Sequence, residues 1–250
     1  MKTIIVANWK MDPPTLREAK KLLELTKKSA EKSGSLVIVA PPAIFLRDLR
    51  QLYRGKRLAY AVQNAHFESC GAYTGEISLQ QAHDAGASYV LVGHAERRAM
   101  GETNDDTRKK VGAALTIKMT PILCVGEESR STSGEHFAVV KEQLQAGFAD
   151  VPVGKVARVI VAYEPIWAIG ADVAMSPRDM HEMSIFIRKT IVDLHGEPGH
   201  QVIILYGGSI DDKNAGEMLR FGDVRGLLVG RASVDAVHMS TLLQAIGKIS

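Results

Sequence analysis

Eight short apolar runs, each followed by a segment with helical character, repeat along the whole 250-residue chain, and nothing else in it restricts the fold so strongly. The runs cover residues 4–7, 36–40, 58–62, 89–92, 121–125, 159–163, 202–206 and 226–229. They have the length of fully buried strands and are rich in Val, Ile and Leu. Helices are expected at 15–29, around Ile44 to Leu52, and at 78–85, 103–117, 134–148, 177–194, 212–221 and 233–249. Pro13 and Pro14 open the first of these, while Leu16, Ala19, Leu22, Leu23 and Leu25 form its apolar stripe. Parallel strands need a crossover, and a helix is the usual one. Eight such units with no segment left over predict a single-domain α/β protein, a closed (β/α)8 barrel over residues 1–250. An open doubly wound sheet is the alternative.

Composition narrows the functions open to such a barrel. A formal charge of +3, with Lys and Arg interspersed among Asp and Glu, does not imply nucleic acid as a partner. The two cysteines, Cys70 and Cys124, lie far apart, which gives neither a disulfide framework nor zinc-ligand spacing. No metal or other cofactor is expected. The apolar start at Ile4 is too short for a signal-peptide core and no run reaches membrane-spanning length, so a cytoplasmic protein is expected, with no membrane partner.

In a barrel of this kind, side chains at the carboxyl ends of different strands converge on one face. That face would collect Asn8, Lys10, Gln63, Asn64, His94, Glu127, Glu164, the turn Gly207-Gly208-Ser209 and Gly230. Glu164 stands where the sixth run ends and Pro165 forbids its continuation. By itself it reads equally as an ion-paired loop carboxylate. His94 alone would be a hydrogen-bonded structural residue, and Lys10 alone a solvated surface lysine. Together on one rim they supply a base, an imidazole and an ammonium. Glu96-Arg97-Arg98 reads as a salt-bridged, solvated turn without a catalytic role. The glycine turns after the seventh and eighth runs offer backbone N–H groups where this architecture repeatedly seats phosphate. Such a set suits proton abstraction next to a carbonyl, with stabilisation of an enediolate. The simplest product is an aldose–ketose interconversion of a small sugar phosphate.

Asn8-Trp9-Lys10, Gly71-Ala72-Tyr73-Thr74-Gly75-Glu76, the stretch from Ala162 to Gly170, and Tyr206-Gly207-Gly208-Ser209 together resemble the triosephosphate isomerase family over essentially the whole chain. The resemblance implies that Glu164 is the base moving a proton between two carbons and that His94 polarises the carbonyl. Asn8 and Lys10 would bind and polarise the substrate, a triose phosphate. Backbone amides at Gly170, Ser209, Gly230 and Arg231 would hold its phosphate. Residues 165–175 correspond to the family's closing lid, hinged at Pro165-Ile166-Trp167. The family is typically a homodimer, and the segment around Thr74 is similar to the loop that reaches into the neighbouring subunit.

Three departures from the family pattern carry expectations of their own. Ala95 stands where the family usually has a Ser whose hydroxyl contacts the glutamate, which predicts altered resting geometry of Glu164 and reduced, not abolished, turnover. Residues 171–175 differ from the usual lid tip, and Asp172 adds a negative charge, which predicts weaker closure or altered substrate preference. Arg231 replaces a second Gly after Gly230, so its side chain points away from the phosphate or toward a longer substrate. An isomerase of another small sugar phosphate, such as a tetrulose phosphate, and a non-catalytic barrel that binds a phosphorylated ligand or a protein are the rival functions.

Overall fold

Each apolar run alternates two faces, and in the computed structural model, which describes residues 2–53, 55–130, 133–169 and 174–248, both faces are buried. The strands are β1 (Ile4–Asn8), β2 (Leu36–Ala40), β3 (Leu58–Val62), β4 (Tyr89–Val92), β5 (Thr120–Val125), β6 (Ile160–Tyr163), β7 (Ile203–Tyr206) and β8 (Gly226–Val229). They pair in parallel in chain order and close as a barrel, with Ile4 opposite Gly226 and Val6 opposite Leu228 at the seam. Glycine is required at that closure, because a Cβ on Gly226 would lie 1.9 Å from the Ile4 carbonyl oxygen.

One side-chain set fills the barrel: Val6, Ile38, Leu91, Ile122, Cys124, Ala162 and Leu205 belong to a core separate from the outer one. The alternate set, including Ile5, Val39, Val92, Leu123, Val161 and Ile204, packs in the outer core with helix residues such as Leu23, Val111, Leu144 and Ile187. A one-residue slip in any strand would exchange the two sets, so the alternation fixes register as well as fold. Because Asn8 keeps the inward phase of Ile4 and Val6, and Glu164 that of Ile160 and Ala162, both reach the mouth at the carboxyl ends.

The helices are α1 (Leu16–Ser33), α2 (Ala43–Leu52), α3 (Leu79–Asp84), α4 (Ala95–Ala99), α5 (Asn104–Thr116), α6 (Glu135–Phe148), α7 (Pro177–His195), α8 (Ala215–Phe221) and α9 (Ala236–Gly247). Side-chain caps set several starts: Thr15 accepts from the Glu18 N–H, and Ser78 with Gln81 and Thr103 with Asp106 form reciprocal boxes. The expected and observed boundaries differ in two instructive places. After β4 a short helix, α4, precedes the expected one, since Gly93 turns the chain at φ 72° and His94 caps the new turn through its own ring. The last helix begins at Ala236, capped by Asp235, because residues 231–233 form a separate 3-10 turn.

Candidate active site

The barrel mouth opens into a pocket of about 660 Å3 whose lining includes Lys10, His94, Glu164, Ser209, Gly230 and Arg231. These residues come from the ends of β1, β4, β6, β7 and β8, so the closed topology brings them together across more than two hundred positions of sequence. Asn8 stands beside them, its side-chain amide 3.3 Å from His94 Nε2. Gly170 and Asp172 lie outside the described residues, as does most of the lid tip. Thr74 belongs to an exposed loop and does not line the pocket.

Glu164 is 2% exposed, which would be costly for an unpartnered carboxylate. Its Oε2 accepts a hydrogen bond from the Ala95 main-chain N–H at 3.2 Å, and Oε1 lies 3.4 Å from His94 Nε2. Oε1 has no ordinary hydrogen-bond partner among the described residues. One oxygen is therefore anchored while the other lines the pocket, an arrangement suited to accepting a proton. Glycine leaves the space for it: a Cβ on Gly207 would come within 2.8 Å of Glu164 Cγ, and one on Gly126 within 1.8 Å of the Glu164 carbonyl oxygen.

The Ala95 N–H bond means that the missing hydroxyl does not leave the carboxylate without a donor at this position. Replacing Ala95 with Ser adds one neutral hydrogen bond, worth about 0.5–1.5 kcal/mol. Turnover is expected to rise by about two- to tenfold in Ala95→Ser, with a reoriented Glu164 in a crystal structure of the variant. An unchanged rate together with an unchanged carboxylate would exclude a role for this position.

His94 is held from behind. Its Nδ1 accepts from the Glu96 N–H at 3.2 Å, at the start of α4, so the ring proton of the neutral imidazole sits on Nε2 and faces the pocket. Glu96 does a second thing: Oε1 pairs with Lys10 Nζ at 2.5 Å. The expected ion-paired turn is present, yet it is part of the pocket's framework because it ties the ammonium to the element that orients the imidazole. Its proximity in sequence to His94 was the available signal. Arg97 and Arg98 face elsewhere, toward Glu102 and toward the Gly93 carbonyl and Asn104.

Lys10 adopts a left-handed backbone conformation, φ 53°, which is uncommon outside glycine. Its neighbours enforce it. The Lys10 N–H donates to Asn8 Oδ1, Gln63 Nε2 donates to the Lys10 and Ala40 carbonyls, and Trp9 is fully buried. This is strain held at a rim position by the buried Asn8 and Trp9 before it and by the Gln63 amide that grips its carbonyl.

Below the Glu164 loop, Glu127 accepts from the Tyr163 hydroxyl at 2.8 Å and from Trp167 Nε1 at 2.9 Å, while its carbonyl accepts from the Ile166 N–H. Burial, together with the Glu127 charge, pushes the Tyr163 hydroxyl far above its usual range, so it remains a donor. These bonds fasten the turn Ile166–Ala168 that follows Pro165. At the far end of the same segment Met175 is buried. Burial, reinforced by the Glu164 charge, also pushes the Cys124 thiol well up, so it offers no thiolate nucleophile. Among the described residues no group of His, Cys, Asp and Glu is placed to hold a metal ion, and no helix is long and apolar enough to cross a membrane.

At the opposite wall, the N–H groups of Ser209, Gly230 and Arg231 make no turn hydrogen bonds among the described residues. Ser233 Oγ holds the turn by donating to the Gly230 and Asn8 carbonyls, at 2.7 and 3.1 Å. Free amides at this position can receive an anion.

A parallel (β/α)8 barrel with a buried carboxylate, an oriented imidazole and an ammonium beside turn amides able to receive an anion belongs to the class of barrel enzymes that move protons on anionic substrates. Comparison with known proteins makes this specific. The chain belongs to the triosephosphate isomerase family, a family of isomerases, whose model matches residues 3–246. It is 41% identical over 237 residues to a triosephosphate isomerase of Roseiflexus sp. (strain RS-1), covering 93% of each chain. The triosephosphate isomerase of Moorella thermoacetica is 36% identical over 242 residues, 96% of this chain and 97% of that one. The corresponding protein of Endomicrobium trichonymphae is 35% identical over 246 residues, 97% and 98% of the two chains.

Proposed function

We propose that the chain interconverts dihydroxyacetone phosphate and D-glyceraldehyde 3-phosphate, with Glu164 as base, His94 as electrophile and Lys10 as electrostatic partner. Glu164 Oε1 takes a proton from the carbon next to the carbonyl, and the electron pair left behind forms the enediolate. The His94 Nε2–H and the Lys10 ammonium stabilise the charge growing on oxygen. His94 passes protons between the two oxygens, and Glu164 returns its proton to the neighbouring carbon, so nothing is gained or lost overall. Asn8 steadies the imidazole side of the site. Amides at Ser209, Gly230 and Arg231, with Gly170 from the lid, hold the phosphate. The single observation that carries this reading is the buried Glu164 with one uncommitted oxygen 3.4 Å from His94 Nε2.

A coupled assay of purified protein on both triose phosphates and on tetrose phosphates tests it. Turnover of the trioses in both directions is expected. Turnover of a tetrose phosphate alone would replace the substrate, and turnover of none by folded protein would remove the reaction.

The same reading includes a homodimer built on the loop around Thr74. Its support is a set of large apolar side chains left open to solvent: Met11 at 93% exposure, Ile44 at 81%, Met100 at 74% and Tyr73 at 45%. Burying such surface is worth about 25 cal/mol per Å2. Light scattering should give twice the chain mass, and Tyr73→Asp should shift the equilibrium toward monomer with a fall in activity. A monomer at micromolar concentration with full activity would contradict this.

A further inference from the structure

The basic side chains that face the pocket are unequally committed. Lys10 already carries a counter-charge, since its ammonium is 2.5 Å from Glu96 Oε1. His238 lies 3.5 Å from Asp235. Arg231 also lines the pocket and is exposed, yet its guanidinium takes part in no hydrogen bond or ion pair among the described residues.

Carboxylates are close at hand, which makes that freedom notable. Asp211, Asp212 and Asp235 line the same pocket. Asp211 Oδ1 accepts from the Lys213 and Asn214 N–H groups, and Asp235 Oδ1 from those of Val237 and His238. Both acids are thus turned to their own backbone as caps. The pocket's anion-seating end holds these acids, amides without turn partners, and one uncommitted fixed positive charge.

A substrate phosphate entering that end faces like charge from the aspartates. Backbone amides meet it with their dipoles, and a guanidinium would add a full charge and paired N–H donors. We propose that the Arg231 side chain is a substrate-specificity residue that turns into the pocket and clamps the substrate phosphate. The proposal rests on the proposed function for its substrate, though not for the anion contact itself.

Arg231→Gln and Arg231→Gly separate the possibilities, the first keeping side-chain bulk without charge and the second removing the side chain altogether. Losing a charge-assisted hydrogen bond should raise KM by about tenfold or more, with most of the loss in KM and little in kcat. Calorimetric titration with inorganic phosphate should show Kd rising by a similar factor in both variants, and Arg231→Lys should fall between them and the wild type. The weakening should shrink at high ionic strength. KM and phosphate Kd both within twofold of the wild type in folded Arg231→Gln and Arg231→Gly would overturn the clamp. If the wild type turns over no triose phosphate, the proposed reaction fails, and the phosphate titration still decides the role of Arg231.

Discussion

Replacing Glu164 with Gln is expected to lower kcat by about 10²- to 10⁴-fold while KM changes by only a few-fold. Gln keeps the shape and can still accept from the Ala95 N–H, so the pocket and the proposed phosphate seat should survive. What it lacks is a basic oxygen. Oε1, without an ordinary hydrogen-bond partner among the described residues, becomes an amide group that cannot hold the proton between its departure from one carbon and its delivery to the next. Steady-state kinetics in both directions, with thermal denaturation to establish folding, measure this. A variant retaining more than a tenth of wild-type kcat would show that another group is the base.

His94→Gln is expected to cost about 10²- to 10³-fold in kcat, the scale for removing a donor to a developing oxyanion. The loss has two parts. The imidazole's Nε2–H is aimed by the Glu96 N–H bond to Nδ1, and a Gln side chain lacks that second anchor, so its amide is misaligned. A carboxamide also cannot shuttle protons between two oxygens. KM should move little, because the phosphate seat on the opposite wall is untouched. The measurement is kcat with dihydroxyacetone phosphate and with glyceraldehyde 3-phosphate. A rise in KM with kcat unchanged would instead mark His94 as a ground-state binding residue.

The barrel was legible because its signal is distributed. The repeated short runs bury both faces, and the residue-by-residue alternation inside them sorts Val6 from Ile5 and Ile122 from Leu123. Glu164, His94 and Lys10 were legible as a group once strand ends were known to converge. Other features lie below what a linear pattern carries. The role of Glu96 depends on Lys10, 86 positions away, and its main-chain bond to the imidazole on the particular turn set by Gly93. Gly207 reads as an ordinary turn residue, and only the 2.8 Å approach to Glu164 Cγ explains why a side chain cannot stand there. Ala95 reads as a lost contact, whereas its main-chain N–H holds Glu164 regardless of side chain. Sequence reports side-chain chemistry position by position, whereas these interactions are made by backbone groups, by empty space or, for Glu96 and Lys10, between side chains that only the fold brings together.

The central claim is that Glu164 carries a proton between two carbons of the substrate. Running the conversion of dihydroxyacetone phosphate in D2O and following the product by proton NMR tests it most directly, because a proton resting on a carboxylate exchanges with solvent before it is returned. The account predicts that wild-type product carries deuterium at C2 and that incorporation slows with turnover in Glu164→Gln. Product formed at the wild-type rate without deuterium, pointing to direct transfer of hydrogen between the carbons, would contradict it.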